Sequence, residues 1–147
     1  AQTLALNIFF TQAIKFAVRR ARPFTYNPDV GMERKLAPDS SLSFYSGHTS
    51  TAFSMAVAYG FTYSRRHPND SKRFAVWGGG LGLAALTGGM RIAGGEHFWT
   101  DVLVGAVAGT AIGLAVPALH LRGGGRTEDA SGGASQAVTP LFYQGSF

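Results

Sequence analysis

Arg91-Ile92-Ala93-Gly94-Gly95-Glu96-His97-Phe98-Trp99-Thr100-Asp101 joins two apolar segments and gathers an arginine, a histidine and an aspartate into one short stretch. His97 and Asp101 are four apart, so a helix beginning near His97 would bring them onto one face. A carboxylate bonded to one imidazole nitrogen fixes the tautomer and leaves the other nitrogen free to attack or coordinate. Arg91 adds a planar, permanently charged fork that suits an oxyanion such as phosphate. Together they point to phosphoryl chemistry on a histidine. Taken alone, His97 and Asp101 read more simply as a structural pair.

Two further stretches change that balance. Lys15 and Arg22 are seven apart, so a helix running to residue 21 would point them nearly the same way before Pro23 ends it. Alone they read as a solvated basic face. Downstream, Phe44-Tyr45-Ser46-Gly47-His48-Thr49-Ser50 precedes an apolar segment. Ser46 and Gly47 are placed to open the next helix, whose free backbone N–H groups can meet an anion. His48 stands beside them as a candidate proton donor. Alone this run is a simple N-cap. It is the joint occurrence of the three stretches that favours a site.

In order and spacing they resemble the type 2 phosphatidic acid phosphatase superfamily, which includes lipid phosphatases, bacterial acid phosphatases and vanadium haloperoxidases. The family pattern is Lys-x6-Arg-Pro, Pro-Ser-Gly-His and Ser-Arg-x5-His-x3-Asp. This chain has Lys15-x6-Arg22-Pro23, Tyr45-Ser46-Gly47-His48 and Met90-Arg91-x5-His97-x3-Asp101. Tyr45 stands for the family proline and Met90 for the family serine, and neither change removes a charged or proton-transferring group. The resemblance implies that His97 is the nucleophile and forms a phosphohistidine. It implies that Asp101 orients His97 and that His48 protonates the leaving oxygen. Lys15, Arg22, Ser46, Gly47 and Arg91 would hold the phosphate. Three cations can supply the charge that a metal supplies elsewhere, so no metal or other cofactor is expected. The spacing of the four histidines also matches no metal site.

The chain of 147 residues is one domain at most, with 13 Lys+Arg against 8 Asp+Glu and a net charge of +5. The positive charge is clustered at Lys15, Arg19, Arg20 and Arg22, and again at Arg65, Arg66, Lys72 and Arg73. It is not spread as a nucleic-acid surface, and no nucleic-acid partner is expected. Arg19, Arg20, Arg65, Arg66, Lys72 and Arg73 are read as topology and headgroup contacts. There is no cysteine, which excludes disulfides and thiolate metal sites. Twenty glycines suit helices that pack through small faces.

Helices are expected over 1–21, 47–63, 74–90 and 97–120, with a long polar loop at 23–45 that could line the substrate entrance. The expected fold is all-α, a helical bundle that spans a membrane, with the three motifs converging at one end. Membrane members of the family usually carry two further helices ahead of the lysine motif, so the chain is expected to lack the first helices of the fold. A phosphatase core is assigned to 1–121 and a Gly/Ser-rich tail to 122–147, disordered over 122–138. The ends away from the motifs, at 64–73 and Leu121-Arg122, are positive as cytoplasmic loops are. The site would then face the periplasm or exterior of a bacterial-type inner membrane. A mean hydropathy of +0.08 is low for such a protein and suits a soluble periplasmic acid phosphatase as well. The expected function is metal-independent hydrolysis of a phosphorylated lipid, such as phosphatidic acid, phosphatidylglycerol phosphate or an isoprenyl diphosphate. The alternatives are the soluble acid phosphatase, a vanadium-dependent haloperoxidase and an inactive membrane-binding fragment.

Overall fold

The computed structural model describes the backbone of residues 1–131 and the side chains of 1–120. The architecture is all-helical. The elements are α1 (Gln2–Val18), a 3-10 turn (Pro23–Tyr26), α2 (Met32–Lys35), α3 (Gly47–Arg66), α4 (Lys72–Ala93) and α5 (Trp99–Ser131). A compact unit spans Ala1–Pro117, and a second begins at Ala118.

α3 is the central element. It packs against both α1 and α4. Its contact with α5 is a seam of small residues. A Cβ added at Gly105, Gly109 or Gly113 would run into the backbone of Ser46, Ser50 or Ser54 respectively. Both series repeat every four residues, the spacing that keeps them on one helix face. Only glycine lets the two backbones come this close. The seam fixes the first turn of α3 against the first turn of α5. Trp77 of α4 lies over Gly60 of α3 and donates its indole N–H to Ser64 Oγ at 3.0 Å.

Along α1 the usual amphipathic order is inverted. Its buried residues are Asn7, Thr11 and Lys15, one stripe at four-residue spacing, while Phe9, Phe10 and Phe16 are exposed. The stripe is satisfied by α3 and the chain before it. Asn7 donates to Thr51 Oγ1 at 2.9 Å and accepts from Ser50 Oγ at 2.5 Å. Thr11 donates to the Tyr45 hydroxyl at 3.2 Å, and Tyr45 is 2% exposed.

Three expectations are corrected. α1 stops at Val18 rather than 21, because Arg19 takes a left-handed cap with φ 47° and its N–H returns to Lys15 O. Beyond it the chain pairs with 40–43, through Arg22 N to Ser40 O and Ser43 N to Arg20 O. Lys15 and Arg22 therefore do not share a helix. His97 also lies outside a helix, since α5 begins at Trp99. Finally, α5 continues through 122–131, where a tail was expected; extending an existing helix costs far less than nucleating one. The rest of the expected tail lies outside the described residues.

Candidate active site

The loop 94–98 is shaped by Arg91, whose carbonyl accepts both Glu96 N and His97 N. Gly95 adopts φ +68°, a conformation that suits glycine, and its carbonyl accepts Phe24 N. The loop thus ties α4 to the 3-10 turn and turns His97 inward, where it is 2% exposed. Asp101, in the first turn of α5, reaches back to accept Phe98 N at 3.0 Å, as an acidic residue does in a capping box.

At the start of α3, Ser46 is the N-cap. Its oxygen accepts Thr49 N at 3.4 Å and lies 2.8 Å from Thr49 Oγ1. Ser46 N donates to the Asp101 carbonyl at 3.0 Å. The Ser46 side chain is fully buried in this cap and does not line the cavity described next. Gly47 and His48, the first residues of the helix, do.

Lys15, Arg22, Gly47, His48 and His97 border one cavity of about 440 Å³, which extends along α1 and α3 past Ile8, Gln12, Thr51 and Ala52. The three stretches singled out in the sequence therefore meet. Lys15 Nζ donates to Leu42 O at 2.6 Å. Arg22 is anchored by Nε to Asp39 O at 2.9 Å and by Nη1 to Glu96 Oε2 at 2.7 Å. Arg91 Nη2 lies 3.5 Å from the same Glu96 oxygen, and Arg34 reaches Oε1 at 2.7 Å. The Glu96 carboxylate is thus gripped by three arginines. Arg91 Nε is buried and has no hydrogen-bond partner among the described residues.

Burial and neighbouring cations lower the pKa of both histidines. Both stand outside Trp99–His120, the one segment among the described residues that is long and apolar enough to cross a bilayer. Burial, followed by the nearby Lys15 and Arg22 charges, pushes the His97 pKa down from 6.5 to about 4. At neutral pH its imidazole is uncharged and carries a lone pair. Burial, then Arg91, also lowers the His48 pKa from 6.5.

One residue read as a topology charge belongs here instead. Arg20 Nη1 donates to Asp101 Oδ1 and Thr100 Oγ1, at 2.7 and 2.8 Å, and its guanidinium lies over the Phe98 ring. Ser43 and Glu96 also join the site. Nothing in the sequence sets Ser43 or Glu96 apart, because a serine in a polar loop and a glutamate beside basic residues are commonplace. The burial of Ser43 and the arginine partners of Glu96 are tertiary facts.

Among characterised proteins, the chain is 37% identical over 81 residues to a lipid A 1-phosphatase of Porphyromonas gingivalis. The match covers 54% of this chain and 17% of that relative. No solved structure matches. The family model of the PAP2 superfamily matches residues 1–123, most of the chain and all three motifs. By that match the chain belongs to the PAP2 superfamily.

Proposed function

We propose that the chain carries the site of a membrane lipid phosphatase that cleaves a phosphomonoester or diphosphate through a phosphohistidine. The observation that carries this reading is the single cavity on which Lys15, Arg22, His48 and His97 converge at the open start of α3. Phosphoryl transfer needs mainly positioning and positive charge around the equatorial oxygens. Lys15, Arg22 and Arg91 supply the charge, and the first N–H groups of α3 supply donors. The Glu96 carboxylate held between Arg22 and Arg91 marks where an oxyanion is welcome. The partnerless Arg91 Nε is a donor that such an anion could satisfy. His97 attacks phosphorus as the ester bond breaks, and His48 protonates the departing oxygen. Asp101 holds the His97 loop from the start of α5.

A lipid substrate is supported by the molecule's surface and by the likeness to a lipid A 1-phosphatase. The described buried residues comprise eleven polar or charged side chains and five hydrophobic ones, while many large apolar side chains face outward. Water-soluble folds invert that order. Trp99–His120 has 22 residues, and an 18-residue window within it has a mean hydropathy of 2.1. At 1.5 Å per residue it reaches about 33 Å, enough to cross a hydrocarbon core of about 30 Å.

The test is phosphate release from phosphatidic acid, a lipid A 1-phosphate and a soluble aryl phosphate, in detergent with and without chelator. Activity should persist in EDTA, and vanadate should block it by filling the phosphate cradle. His97→Ala should abolish turnover of all three substrates and the acid-labile label on the protein. Label retained without His97, or activity that EDTA removes and magnesium restores, would overturn the mechanism.

A further inference from the structure

The Asp101 carboxylate does not reach His97 directly. Its Oδ2 stands 3.7 Å from His97 Nδ1, beyond hydrogen-bond length. Both of its oxygens are already engaged. Oδ1 accepts from Arg20, and Oδ2 accepts from Phe98 N and from Ser43 Oγ at 2.5 Å. Ser43 is fully buried, and its Oγ lies 3.5 Å from His97 Nδ1, closer than the carboxylate and at the outer limit of a hydrogen bond.

A serine hydroxyl has one hydrogen to give. The short contact with an ion-paired carboxylate commits that hydrogen to Asp101. Ser43 can then offer His97 only lone pairs. An imidazole nitrogen that faces a pure acceptor carries its own hydrogen there, so the hydrogen sits on Nδ1 and the lone pair on Nε2.

We propose that Ser43, itself oriented by Asp101 and Arg20, is the positioning residue that sets the reactive tautomer of His97. The proposal rests on the reading of His97 as nucleophile. In the step it serves, the Nε2 lone pair forms the N–P bond. The P–O ester bond breaks, and its electron pair leaves with the departing oxygen, which takes a proton from His48. Nδ1 keeps its hydrogen throughout, and the positive charge arising on the ring meets the Ser43 oxygen with Asp101 behind it. Arg20 and Phe98 N–H hold the carboxylate at the start of α5, so it is not free to close the 3.7 Å gap if Ser43 is lost.

The experiment compares Ser43→Ala and Ser43→Thr with the unchanged chain in detergent. Steady-state kinetics on an aryl phosphate are combined with 15N spectra of histidine-labelled protein, and His97→Gln assigns the resonance. Ser43→Ala should lower kcat roughly 10- to 100-fold, the range seen when the outer partner of a histidine is removed. KM and inhibition by inorganic phosphate should not move, because Lys15, Arg22 and Arg91 are untouched. The His97 spectrum should lose its Nδ1–H signature, and Ser43→Thr should recover both kcat and signature. If the buried site rejects both variants, Arg20→Gln disturbs the same chain of contacts from its more exposed end and should lower kcat at constant KM. Unchanged kcat and tautomer in Ser43→Ala, or kcat and KM changing together with no change in tautomer, would overturn the proposal. Turnover retained by His97→Ala would overturn the nucleophile reading instead, whatever the spectra show.

Discussion

At the scale of single residues, the proposed roles of His97 as nucleophile and His48 as acid, with both pKa values depressed, predict an acidic pH optimum. kcat/KM reports ionisations of the free enzyme. His97 must be unprotonated to attack, so activity should rise with pH through about 4. His48 must be protonated to act as an acid, so activity should fall at a pH below 6.5. His48→Ala should remove the basic limb and leave the acid limb. Its cost should follow leaving-group basicity, with about a 10²–10⁴-fold loss on a lipid phosphate and little on an aryl phosphate, whose phenolate departs unaided. Equal losses on the two substrates would mean that His48 is not the acid. Stability follows the same ionisation of His97. Between pH 6.5 and about 4 the unfolded chain binds a proton that the folded chain refuses, so stability contributed above 6.5 is lost as pH falls through that window. Glu96 offers a separate test. On the proposed reading its carboxylate competes with substrate for Arg22 and Arg91, while Arg22 stays anchored by Asp39 O. Glu96→Gln should therefore lower KM and the Ki of inorganic phosphate severalfold, the order expected when one screened charge is removed near a surface. A raised KM would show that Glu96 instead holds the arginines in place. That Lys15, Arg22, Gly47, His48 and His97 would come together was legible in sequence from the order and spacing of the motifs. Arg20 and Ser43 were not, because their roles arise from where 19–22 pairs with 40–43, a contact with no periodicity to announce it.

At the scale of elements, the site depends on how closely α3 and α5 approach. Ser46 N to Asp101 O ties the two helix starts, and the glycine seam continues that registration down both helices. Gly109→Ala would place a Cβ against the Ser50 backbone, which cannot yield as a side-chain tip can. It should cost about 1–3 kcal/mol, as overpacking does, and should lower kcat by separating the His48 and His97 ends. Gly79 in α4 is the matched control. A Cβ there meets nothing within 4 Å, so Gly79→Ala should gain about 0.5–1 kcal/mol from helix propensity and leave activity alone. Thermal unfolding in detergent with parallel kinetics checks both, and equal tolerance of the two substitutions would remove the seam as a determinant. The helices themselves could be read from sequence because their apolar runs are long. Their boundaries near the site could not. The Arg19 cap and the start of α5 after His97 are set by backbone bonds to distant loops, and the four-residue glycine spacing gains meaning only beside the serine series it faces.

At the scale of the whole molecule, the described side chains include many buried polar ones and many exposed apolar ones, an arrangement that supports the proposed membrane setting. Buried Asn7, Thr11 and Lys15 bind neighbours in the protein, while Phe9, Phe10 and Phe16 on the same helix look outward. A helix of that kind gains by placing its outer face in lipid, and mean hydropathy conceals the arrangement because the polar interior cancels the apolar exterior. Orientation follows from the turn joining α3 and α4. Arg65, Arg66, Lys72 and Arg73 flank it, at the opposite end of α3 from His48. Tyr63 donates to Asp70 Oδ2, and the Lys72 N–H donates to Asp70 Oδ1, so the turn is held as a compact basic knot. Clustered Lys and Arg tend to stay on the cytoplasmic side, so in the proposed membrane setting the cavity is expected on the exterior face. The chain contains no cysteine, so single cysteines can report this without background. In intact cells, Asp29→Cys, in the loop before α2, should react with a membrane-impermeant maleimide, and Asn69→Cys, in the basic turn, should react only after the cells are opened. The labelled chain should remain in the membrane fraction through an alkaline carbonate wash. Labelling of Asn69→Cys alone in intact cells would reverse the orientation and put the phosphate cradle in the cytoplasm. Release of the chain by carbonate would mean that its apolar faces are covered by something other than lipid.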